Sequence, residues 1–478
     1  METLTRNNYI EGAFTGEGGG NRIDVLNPSR NTVIGDIPDS GTEVVDRAVA
    51  SAKKAQKAWA KLPAIQRAGY LRKISAKIRE NADEIAKTIV EEQGKIAPLA
   101  AVEAQFTADY FDYMAEWARR IEGEVISSDR PGENVFLLRQ PIGVVAGILP
   151  WNFPFFLIAR KAGPALVTGN TIVIKPSEET PLNALIFARL MAETDLPPGV
   201  INIVFGRGAT TGKALSQHPD IGLISFTGSV ATGSAIMREA ATNITKVNLE
   251  LGGKAPAIVL ADADLDLAVK CVTMSRLLNS GQVCNAAERV YVEKKIADEF
   301  TQKLAKAMAA TKVGDPASQG IEMGPLINKP GVQKIHEFVK NAVADGARVV
   351  TGGDFIELDN GNFYAPTVLS DVNEGMSVMR DEVFGPVLPV ATVSGLDEAI
   401  ERANDTTYGL TSSIYTTNIN SAMRAINELD FGETYVNREN FEAMQGFHAG
   451  TRRSGIGGAD GKHGLYEYTR THVAYIQT

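Results

Sequence analysis

Cysteine is scarce in this sequence of 478 residues, which contains only Cys271 and Cys284. Two cysteines cannot supply a disulfide framework for so long a chain, and they form no CxxC pair for zinc or thiol exchange. We therefore expect no metal site and a reducing compartment, the cytoplasm. The amino terminus also lacks a basic patch followed by an apolar core, so no secretory signal is predicted.

An excess of positive charge is absent as well. Lys and Arg number 48 against 57 Asp and Glu, which gives a formal net charge of −9. Nucleic acid is therefore not an expected partner, because phosphates bind to clustered basic residues. The apolar run from Pro141 to Ala159 has the length of a membrane span, but Pro150 and Pro154 interrupt it. We expect no membrane segment and interpret this run as a buried strand that continues into a loop and a helix.

The order of sequence patterns predicts an α/β protein with more than one domain. The chain is about three times as long as a typical domain of roughly 150 residues, and its 44% apolar content is ordinary for globular proteins. The first third shows the apolar spacing of helices. After Pro141, short β-branched runs alternate with helical stretches, which is typical of a parallel sheet covered by helices on both faces. A second such series begins at residues 257–260, so we expect a boundary near Gly252 and Gly253.

Two glycine-containing turns are candidates for a dinucleotide site. The segment GRGATTG, with Gly206, Gly208 and Gly212, has one residue too many for the GxGxxG pattern. The strand LISFTG leads directly into GSVATG, which places Gly228 and Ser229 where a helix should begin. Free N–H groups at a helix start bind phosphate, so the second turn is the better candidate. The alternative is an ordinary tight turn between strand and helix.

Cys284 is the candidate nucleophile. It lies in SGQVCNAAERVYV, where a helical pattern gives way to small and polar residues before a strand. Most free cysteines are buried packing residues, and Cys271, on the apolar helical face of LAVKCVTM, is interpreted in that way.

Two polar residues in apolar surroundings are further candidates for catalysis. Glu250 ends the strand KVNLELGG, where a carboxylate is costly to bury unless it is hydrogen-bonded, paired or protonated. A carboxylate with a raised pKa can work as a general base near neutral pH, so Glu250 calls for a partner or a function. Asn152, in PWNFPF, could donate its amide to a developing oxyanion. The alternative for Asn152 is a loop residue that bonds to nearby backbone.

Seven motifs together resemble the aldehyde dehydrogenase superfamily in order and spacing. They are PWNFP, TIVIKPSEETP, FTGSVATG, LELGGKAP, GQVCNAAERVYV, EVFGPVLPV and RRSGIGG. Within this superfamily, DRPGEN, SGQVCN and NRENFEAMQGFHAG most resemble bacterial members that oxidise lactaldehyde and glycolaldehyde. The resemblance implies a Rossmann-type parallel-sheet NAD domain, an α/β catalytic domain and a small oligomerisation hairpin.

The resemblance also divides the chain into domains. The division is 1–121 and 142–252 for the NAD-binding domain, 253–450 for the catalytic domain, and 122–141 with 463–478 for oligomerisation. It implies a homo-oligomer, either a dimer or a tetramer. The sequence supports the oligomerisation elements, because EVISSD, NVFLLRQ and THVAYIQT read as strands separated by turn residues.

Catalytic and cofactor roles follow from the same resemblance. Cys284 becomes the nucleophile, Glu250 the base for deacylation, and Asn152 an oxyanion donor together with the Cys284 backbone N–H. The implied cofactor-binding residues are Ile148, Trp151, Lys175, Glu178, Gly208, Gly228, Ser229, Glu382 and Phe384. A carboxylate at Glu178 should accept hydrogen bonds from a ribose diol and repel a 2′-phosphate, so NAD is expected rather than NADP.

The predicted substrate is a small aldehyde with a 2-hydroxyl group. Arg160, Asn285, Glu442 and His448 are the implied substrate-binding residues. Arg160, Glu442 and His448 occupy positions where relatives that oxidise apolar aldehydes often carry aromatic rings, so we expect a polar, charged wall. The alternative for Arg160 and Glu442 is a surface ion pair.

Other functions remain open on the sequence alone. Another short polar aldehyde, such as succinate semialdehyde, fits the same pattern. A CoA-acylating relative would pass the acyl group to CoA, and Glu250 argues against it. An NAD-independent thiol hydrolase could use His448 to activate Cys284. A catalytically silent dinucleotide-binding protein would not need Cys284, Glu250 and Asn152 together.

Overall fold

The computed structural model describes residues 6–15 and 20–478, so residues 1–5 and 16–19 of the predicted first domain lie outside the described part. Its strands, in chain order, are β1 (Tyr9–Ile10), β2 (Ala13–Phe14), β3 (Arg22–Asn27), β4 (Thr32–Pro38), β5 (Glu124–Ser127), β6 (Glu133–Pro141), β7 (Val144–Ile148), β8 (Thr171–Lys175), β9 (Ile201–Ile203), β10 (Ile221–Thr227), β11 (Lys246–Glu250), β12 (Ala255–Val259), β13 (Ala287–Glu293), β14 (Arg348–Thr351), β15 (Phe355–Ile356), β16 (Phe363–Tyr364), β17 (Thr367–Ser370), β18 (Val387–Val393), β19 (Thr411–Tyr415), β20 (Glu433–Val436), β21 (Gly455–Ile456) and β22 (Thr469–Gln477).

The α-helices are, in chain order, α1 (Thr42–Trp59), α2 (Ala64–Glu80), α3 (Ala82–Gln93), α4 (Ala97–Glu116), α5 (Phe156–Thr168), α6 (Leu182–Ala192), α7 (Lys213–Gln217), α8 (Val230–Ala240), α9 (Leu265–Leu277), α10 (Ala297–Ala309), α11 (Lys329–Ala344), α12 (Ser377–Arg380), α13 (Leu396–Asn404), α14 (Ile419–Glu428) and α15 (Gly461–Glu467).

The first large sheet has the strand order β2-β1-β9-β8-β7-β10-β11-β21. Its five central strands, β9, β8, β7, β10 and β11, are parallel. Counted along the chain from β7, their spatial order is 3-2-1-4-5, the doubly wound arrangement of Rossmann-type domains. The order reverses between β7 and β10, and ligands of such sheets bind at the carboxyl ends of the strands at this switch point.

The carboxyl ends of these strands lie in register at one edge of the sheet. Ile148 pairs with Lys175 and with Phe226, and Thr227 pairs with Glu250. Several of the candidate residues end these strands or follow them directly, so the fold gathers them at one edge. Buried apolar side chains cover both faces of this sheet, as expected for a parallel sheet between helices.

The second large sheet has the order β14-β17-β18-β13-β12-β19-β20, and all neighbours except β14 and β17 run parallel. Two further buried clusters cover its faces. Because β11 belongs to the first sheet and β12 to the second, the change of sheet supports the proposed boundary at residue 252. After β20 the chain returns to the first sheet, where β21 pairs with β11.

A separate three-stranded antiparallel sheet has the order β22-β6-β5. It contains the hairpin of residues 124–141, and β22 adds along the full length of β6. Several apolar side chains of this sheet are exposed, among them Val125 at 74% and Tyr475 at 69%.

The α/β class and the two parallel-sheet units are confirmed. The helical interpretation of the first third was incomplete, because the strands β1 to β4 also lie there. In β3, buried and exposed residues alternate strictly, so the sequence RIDVLN carried the signal of a strand. The run Pro141–Ala159 forms β7, a loop and the start of α5, as predicted, and none of the described helices is long and apolar enough to cross a membrane.

Candidate active site

Cys284 lies at the wall of a pocket between the two large sheets. It is partly exposed and belongs to the segment that connects α9 to β13. The polar residues that line the pocket are Glu103, Asn152, Arg160, Thr227, Cys284, Asn285 and Glu442. The other cysteine, Cys271, is buried in α9 among apolar side chains, so it has the environment of a packing residue.

The expectation of a predominantly polar and charged wall was wrong. Phe106, Phe153, Phe156 and Phe441 line the same pocket, together with Leu99, Val102, Leu157 and Val283. Most of these residues come from α4 and from the segment around the start of α5, the same segment that carries Asn152 and Arg160. The polar groups are therefore set into an otherwise apolar, aromatic pocket.

Asn152 follows β7 and lies next to the segment that carries Cys284. Its side-chain nitrogen donates one hydrogen bond, at 2.9 Å, to the backbone oxygen of Gln282, two residues before Cys284. An amide nitrogen carries two hydrogens, so the second can serve a ligand in the pocket that Asn152 lines. Asn152 thus bonds to nearby backbone, as the alternative interpretation held, and retains a donor for an oxyanion.

Glu250 ends β11 with its side chain buried between cations. Its Oε1 atom accepts a hydrogen bond from Lys161 Nζ at 2.8 Å, and its Oε2 atom lies 3.7 Å from Arg160 Nη1. Burial alone would raise the pKa of Glu250, but Lys161, Arg160 and His448 lower it to about 2. Of the three possibilities for a buried carboxylate, Glu250 is therefore paired, because α5 places two cations beside it.

Arg160 is the centre of a buried chain of charges rather than part of a surface ion pair. Only 5% of it is exposed, and its Nε atom donates to Asp460 Oδ1 at 3.0 Å. Its Nη2 atom donates to Glu442 Oε1 at 3.0 Å. The other Glu442 oxygen accepts from Asn285 Nδ2 at 2.5 Å. This chain fixes Asn285 beside Cys284, and the Asn285 Oδ1 atom is buried without a hydrogen-bond partner among the described residues.

His448 is buried behind Cys284 and does not belong to the pocket wall described above. Its Nδ1 atom lies 2.8 Å from Glu433 Oε1, and Cys284 is among the groups that act on the charge of its ring. Burial lowers the pKa of His448, but Glu442, Glu433 and Cys284 together raise it well above its usual range. The imidazole therefore carries a positive charge close to the thiol at neutral pH.

Lys175, Glu178 and Gly208 lie together at the end of β8. Lys175 Nζ is 3.1 Å from Glu178 Oε2, and the Gly208 N–H donates to Glu178 Oε1 at 3.1 Å. Burial raises the pKa of Glu178, but Lys175 and backbone N–H groups bring it below its usual value. A carboxylate held in this way remains charged and can accept hydrogen bonds from a sugar diol.

Gly228 and Ser229 form the turn from β10 into α8. The Gly228 N–H donates to the Glu250 backbone oxygen at 3.0 Å, which ties this turn to the end of β11. Ser229 is the N-cap of α8, and its hydroxyl accepts from the Thr232 N–H. The helix start is exposed at the switch point of the sheet, which is where a phosphate group would be expected to bind.

Glu382 and Phe384 lie opposite, in the loop before β18. Glu382 Oε1 accepts a hydrogen bond from the Gly253 N–H at 2.9 Å. Any side chain at Gly252 would collide with Glu382, since a Cβ atom there would lie 2.3 Å from its Oε2 atom. Phe384 packs edge to face against Trp151, three residues beyond Ile148, with ring centroids 5.5 Å apart. Residues from both sheets thus border one cleft.

Sequence analysis did not identify several residues of this site. Lys161 and Asp460 hold Glu250 and Arg160, and Glu433 pairs with His448. Glu288 accepts hydrogen bonds from the Val383 and Phe384 N–H groups and so fixes the loop of Glu382. A signal existed for Lys161, which is a charged residue in the apolar stretch FLIARKAG and requires a partner there.

Comparisons with known proteins identify the family of the chain. The Aldehyde dehydrogenase family matches residues 14–474. Lactaldehyde dehydrogenase of Escherichia coli (strain K12) is 60% identical over 471 residues, which cover 98% of each chain. The crystal structure of lactaldehyde dehydrogenase from Escherichia coli superposes with a TM-score of 0.98 at 59% identity over 99% of each chain. Betaine aldehyde dehydrogenase from Staphylococcus aureus, solved in complex with NAD+, gives a TM-score of 0.97 at 35% identity over 99% of this chain and 95% of that one. The fold, the grouping of its polar residues and these similarities lead to one conclusion: the chain belongs to the aldehyde dehydrogenase family.

Proposed function

We propose that this protein oxidises lactaldehyde, glycolaldehyde or a similarly short 2-hydroxyaldehyde to the carboxylic acid, with NAD as hydride acceptor. The observation that carries the proposal is the Asn285 Oδ1 atom, which is buried next to Cys284 and has no partner in the described chain. A 2-hydroxyl group on the substrate would donate a hydrogen bond to this atom. The similarity to a lactaldehyde dehydrogenase supports the same substrate class.

The chemistry begins with attack of Cys284 Sγ on the aldehyde carbon. The carbonyl oxygen then becomes an oxyanion, which accepts hydrogen bonds from the second Asn152 amide hydrogen and the Cys284 backbone N–H. NAD, when bound, supplies the acceptor for the hydride that leaves the tetrahedral carbon. The acyl group remains on Cys284 as a thioester, and a water molecule hydrolyses it to the acid and the free thiol.

Glu250 is the proposed base for thioester hydrolysis. In its ion pair with Lys161 it is a weak base, since its pKa is about 2. We therefore propose that its side chain leaves Lys161 during hydrolysis, which would raise its pKa and let it accept a proton from water.

The described residues fit a nicotinamide dinucleotide. Lys175 and Glu178 would bind the adenosine ribose. The N-terminus of α8, with Gly228 and Ser229, would bind the pyrophosphate. Glu382 would bind the nicotinamide ribose. One carboxylate oxygen of Glu382 accepts the hydrogen bond from the Gly253 N–H, so the other oxygen is available for a hydroxyl group. The charged Glu178 supports NAD over NADP, because it would repel a 2′-phosphate.

The assembly and the compartment are also proposals. The exposed apolar side chains of the β22-β6-β5 sheet support a homo-oligomer, either a dimer or a tetramer, since such a surface favours burial against a partner. A nucleophilic thiol such as Cys284 stays reduced most readily in the cytoplasm, which supports that location.

The test compares lactaldehyde with propanal, which has the same carbon chain but no hydroxyl group. We expect kcat/KM for NAD reduction to be at least about tenfold higher for lactaldehyde, because propanal leaves Asn285 Oδ1 unpaired. Asn285→Ala should narrow this ratio, and Cys271→Ala should leave it unchanged. Equal kcat/KM values for the two aldehydes would reject the proposal that a 2-hydroxyaldehyde is the preferred substrate. Formation of the acid without NAD would favour a thiol hydrolase.

A further inference from the structure

Two fully buried charged residues lie directly behind Asn152. Lys95 and Glu103 form an ion pair with 2.5 Å between Nζ and Oε2, and neither side chain is exposed. Lys95 precedes α4 and Glu103 lies on it. Lys95 Nζ also donates a hydrogen bond to the Asn152 backbone oxygen at 2.8 Å and lies 3.5 Å from the centroid of the Phe153 ring.

Glu103 holds the other end of the same loop. Its Oε1 atom accepts hydrogen bonds from the Phe155 N–H at 2.9 Å and the Phe156 N–H at 3.1 Å. These groups belong to the amino terminus of α5, which has no side-chain cap from its own N-cap residue. The ion pair therefore fixes the backbone of residues 152–156 on both sides of Pro154.

Stability alone does not account for this pair. Removing two charges from water costs several kcal/mol, and apolar replacements of buried ion pairs are often neutral or stabilising. What the pair supplies is a defined position for the Asn152 backbone, which Asn279 Nδ2 also contacts at 3.1 Å. The Asn152 side chain is then fixed by its bond to Gln282, close to Cys284.

We propose that the Lys95–Glu103 ion pair is a positioning device that places the Asn152 amide to stabilise the oxyanion. This inference rests on the oxyanion role of Asn152 given under the proposed function. In this role, neither Lys95 nor Glu103 exchanges a proton with the substrate. Their effect passes through the backbone of residues 152–156, and a displacement of about 1 Å at a catalytic donor can lower a rate by roughly 100-fold.

The chain offers a matched control in Glu92. This buried glutamate accepts hydrogen bonds from the Leu182 and Asn183 N–H groups, at 2.6 and 2.9 Å, at the amino terminus of α6. Like α5, α6 has no side-chain cap from its own N-cap residue. Glu92 and Glu103 thus make the same kind of structural contact, but Glu103 also pairs with Lys95, which donates to the Asn152 backbone oxygen.

The test measures the rate of hydride transfer in a single turnover, as NADH formed from lactaldehyde, with thermal stability measured in parallel. Glu103→Gln and Lys95→Met should each slow hydride transfer by roughly tenfold or more, while the Kd for NAD stays within about twofold of wild type. Glu92→Gln should lower the thermal midpoint and leave hydride transfer within about twofold. In an Asn152→Ala background, Glu103→Gln and Lys95→Met should have almost no further effect on that rate.

The outcomes distinguish the proposed oxyanion role of Asn152 from the proposed positioning role of the Lys95–Glu103 ion pair. If Asn152→Ala transfers hydride at the wild-type rate, the proposed oxyanion role of Asn152 is wrong. If Asn152→Ala is slow but Glu103→Gln and Lys95→Met are not, the positioning inference is wrong. The inference also fails if these two substitutions slow the Asn152→Ala enzyme by the same factor as the wild type, or if Glu92→Gln slows hydride transfer as much as they do.

Discussion

The protonation of Glu250 depends on its neighbours more than on its burial. The carboxylate is 4% exposed, which by itself favours the neutral acid. Lys161 at 2.8 Å and Arg160 at 3.7 Å reverse this preference, so the residue is charged in this arrangement. Because Lys161 lies 89 positions before Glu250, no local sequence pattern could have given the sign of the pKa shift.

Replacement of this carboxylate should separate the two halves of the reaction. In Glu250→Gln, hydride transfer should proceed near the wild-type rate, while thioester hydrolysis slows by roughly 100-fold or more for lack of a base. Rapid mixing with lactaldehyde and NAD should therefore show one equivalent of NADH per active site, followed by a slow phase. A variant that forms no initial NADH would place Glu250 in an earlier step.

Glu382 leads to a prediction about pH. Burial, followed by the neighbouring Glu288 carboxylate, raises the pKa of Glu382 to about 7. Above pH 7 the carboxylate is charged and, in the proposed cofactor site, would bind the ribose hydroxyl groups strongly. Below pH 7 it takes up a proton and would lose this charge-assisted bond. The Kd for NAD should therefore rise by up to about tenfold from pH 8 to pH 6. Fluorescence titration should show a much flatter dependence for Glu382→Gln, and an equally steep one would contradict the assignment.

Some residues of the site were predictable from sequence and others were not. Cys284, Glu250 and Asn152 each stand out because a reactive or polar group occurs in apolar or glycine-rich surroundings. Asp460 could not be chosen in this way, since its partner Arg160 lies 300 positions away. Phe106, which lines the pocket from α4, could not be chosen either, because no motif marks it.

At the level of elements, sequence periodicity predicted most of the strands and helices that position the site. The strands β7, β8, β10 and β11 follow β-branched runs that are visible in the sequence, and α8 follows the predicted turn. Short strands such as β1 and β2 contain two residues each, too few to show any periodicity. The order of strands within each sheet depends on long-range pairing and was available only through the resemblance to a family.

The β22-β6-β5 sheet gives a prediction about assembly. Val125→Lys with Tyr475→Lys should weaken or abolish the homo-oligomer, because both side chains are exposed in the single chain and would carry charge into an interface. Sedimentation velocity at micromolar concentration should show a smaller species. Ile419→Lys is the control, since Ile419 is 70% exposed on α14, outside this sheet. Unchanged sedimentation of the double variant would exclude this surface from the interface.

For the molecule as a whole, the active site depends on the meeting of two sheets. The first sheet contributes Asn152 and Glu250 at its carboxyl edge, and the segment entering the second sheet contributes Cys284 and Asn285. Neither sheet alone brings the proposed nucleophile, the proposed oxyanion donor and the proposed hydride acceptor together. The pocket between them is therefore the feature from which the enzymatic function is inferred.

The most direct test of this account is the rate of NADH formation from lactaldehyde by two matched cysteine variants. Cys284→Ala should abolish NADH formation, because no thiol remains to form the tetrahedral intermediate. Cys271→Ala, which changes a buried residue of α9, should retain most of the wild-type kcat. Activity that survives in Cys284→Ala, or that is lost equally in both variants, would contradict the central role of Cys284.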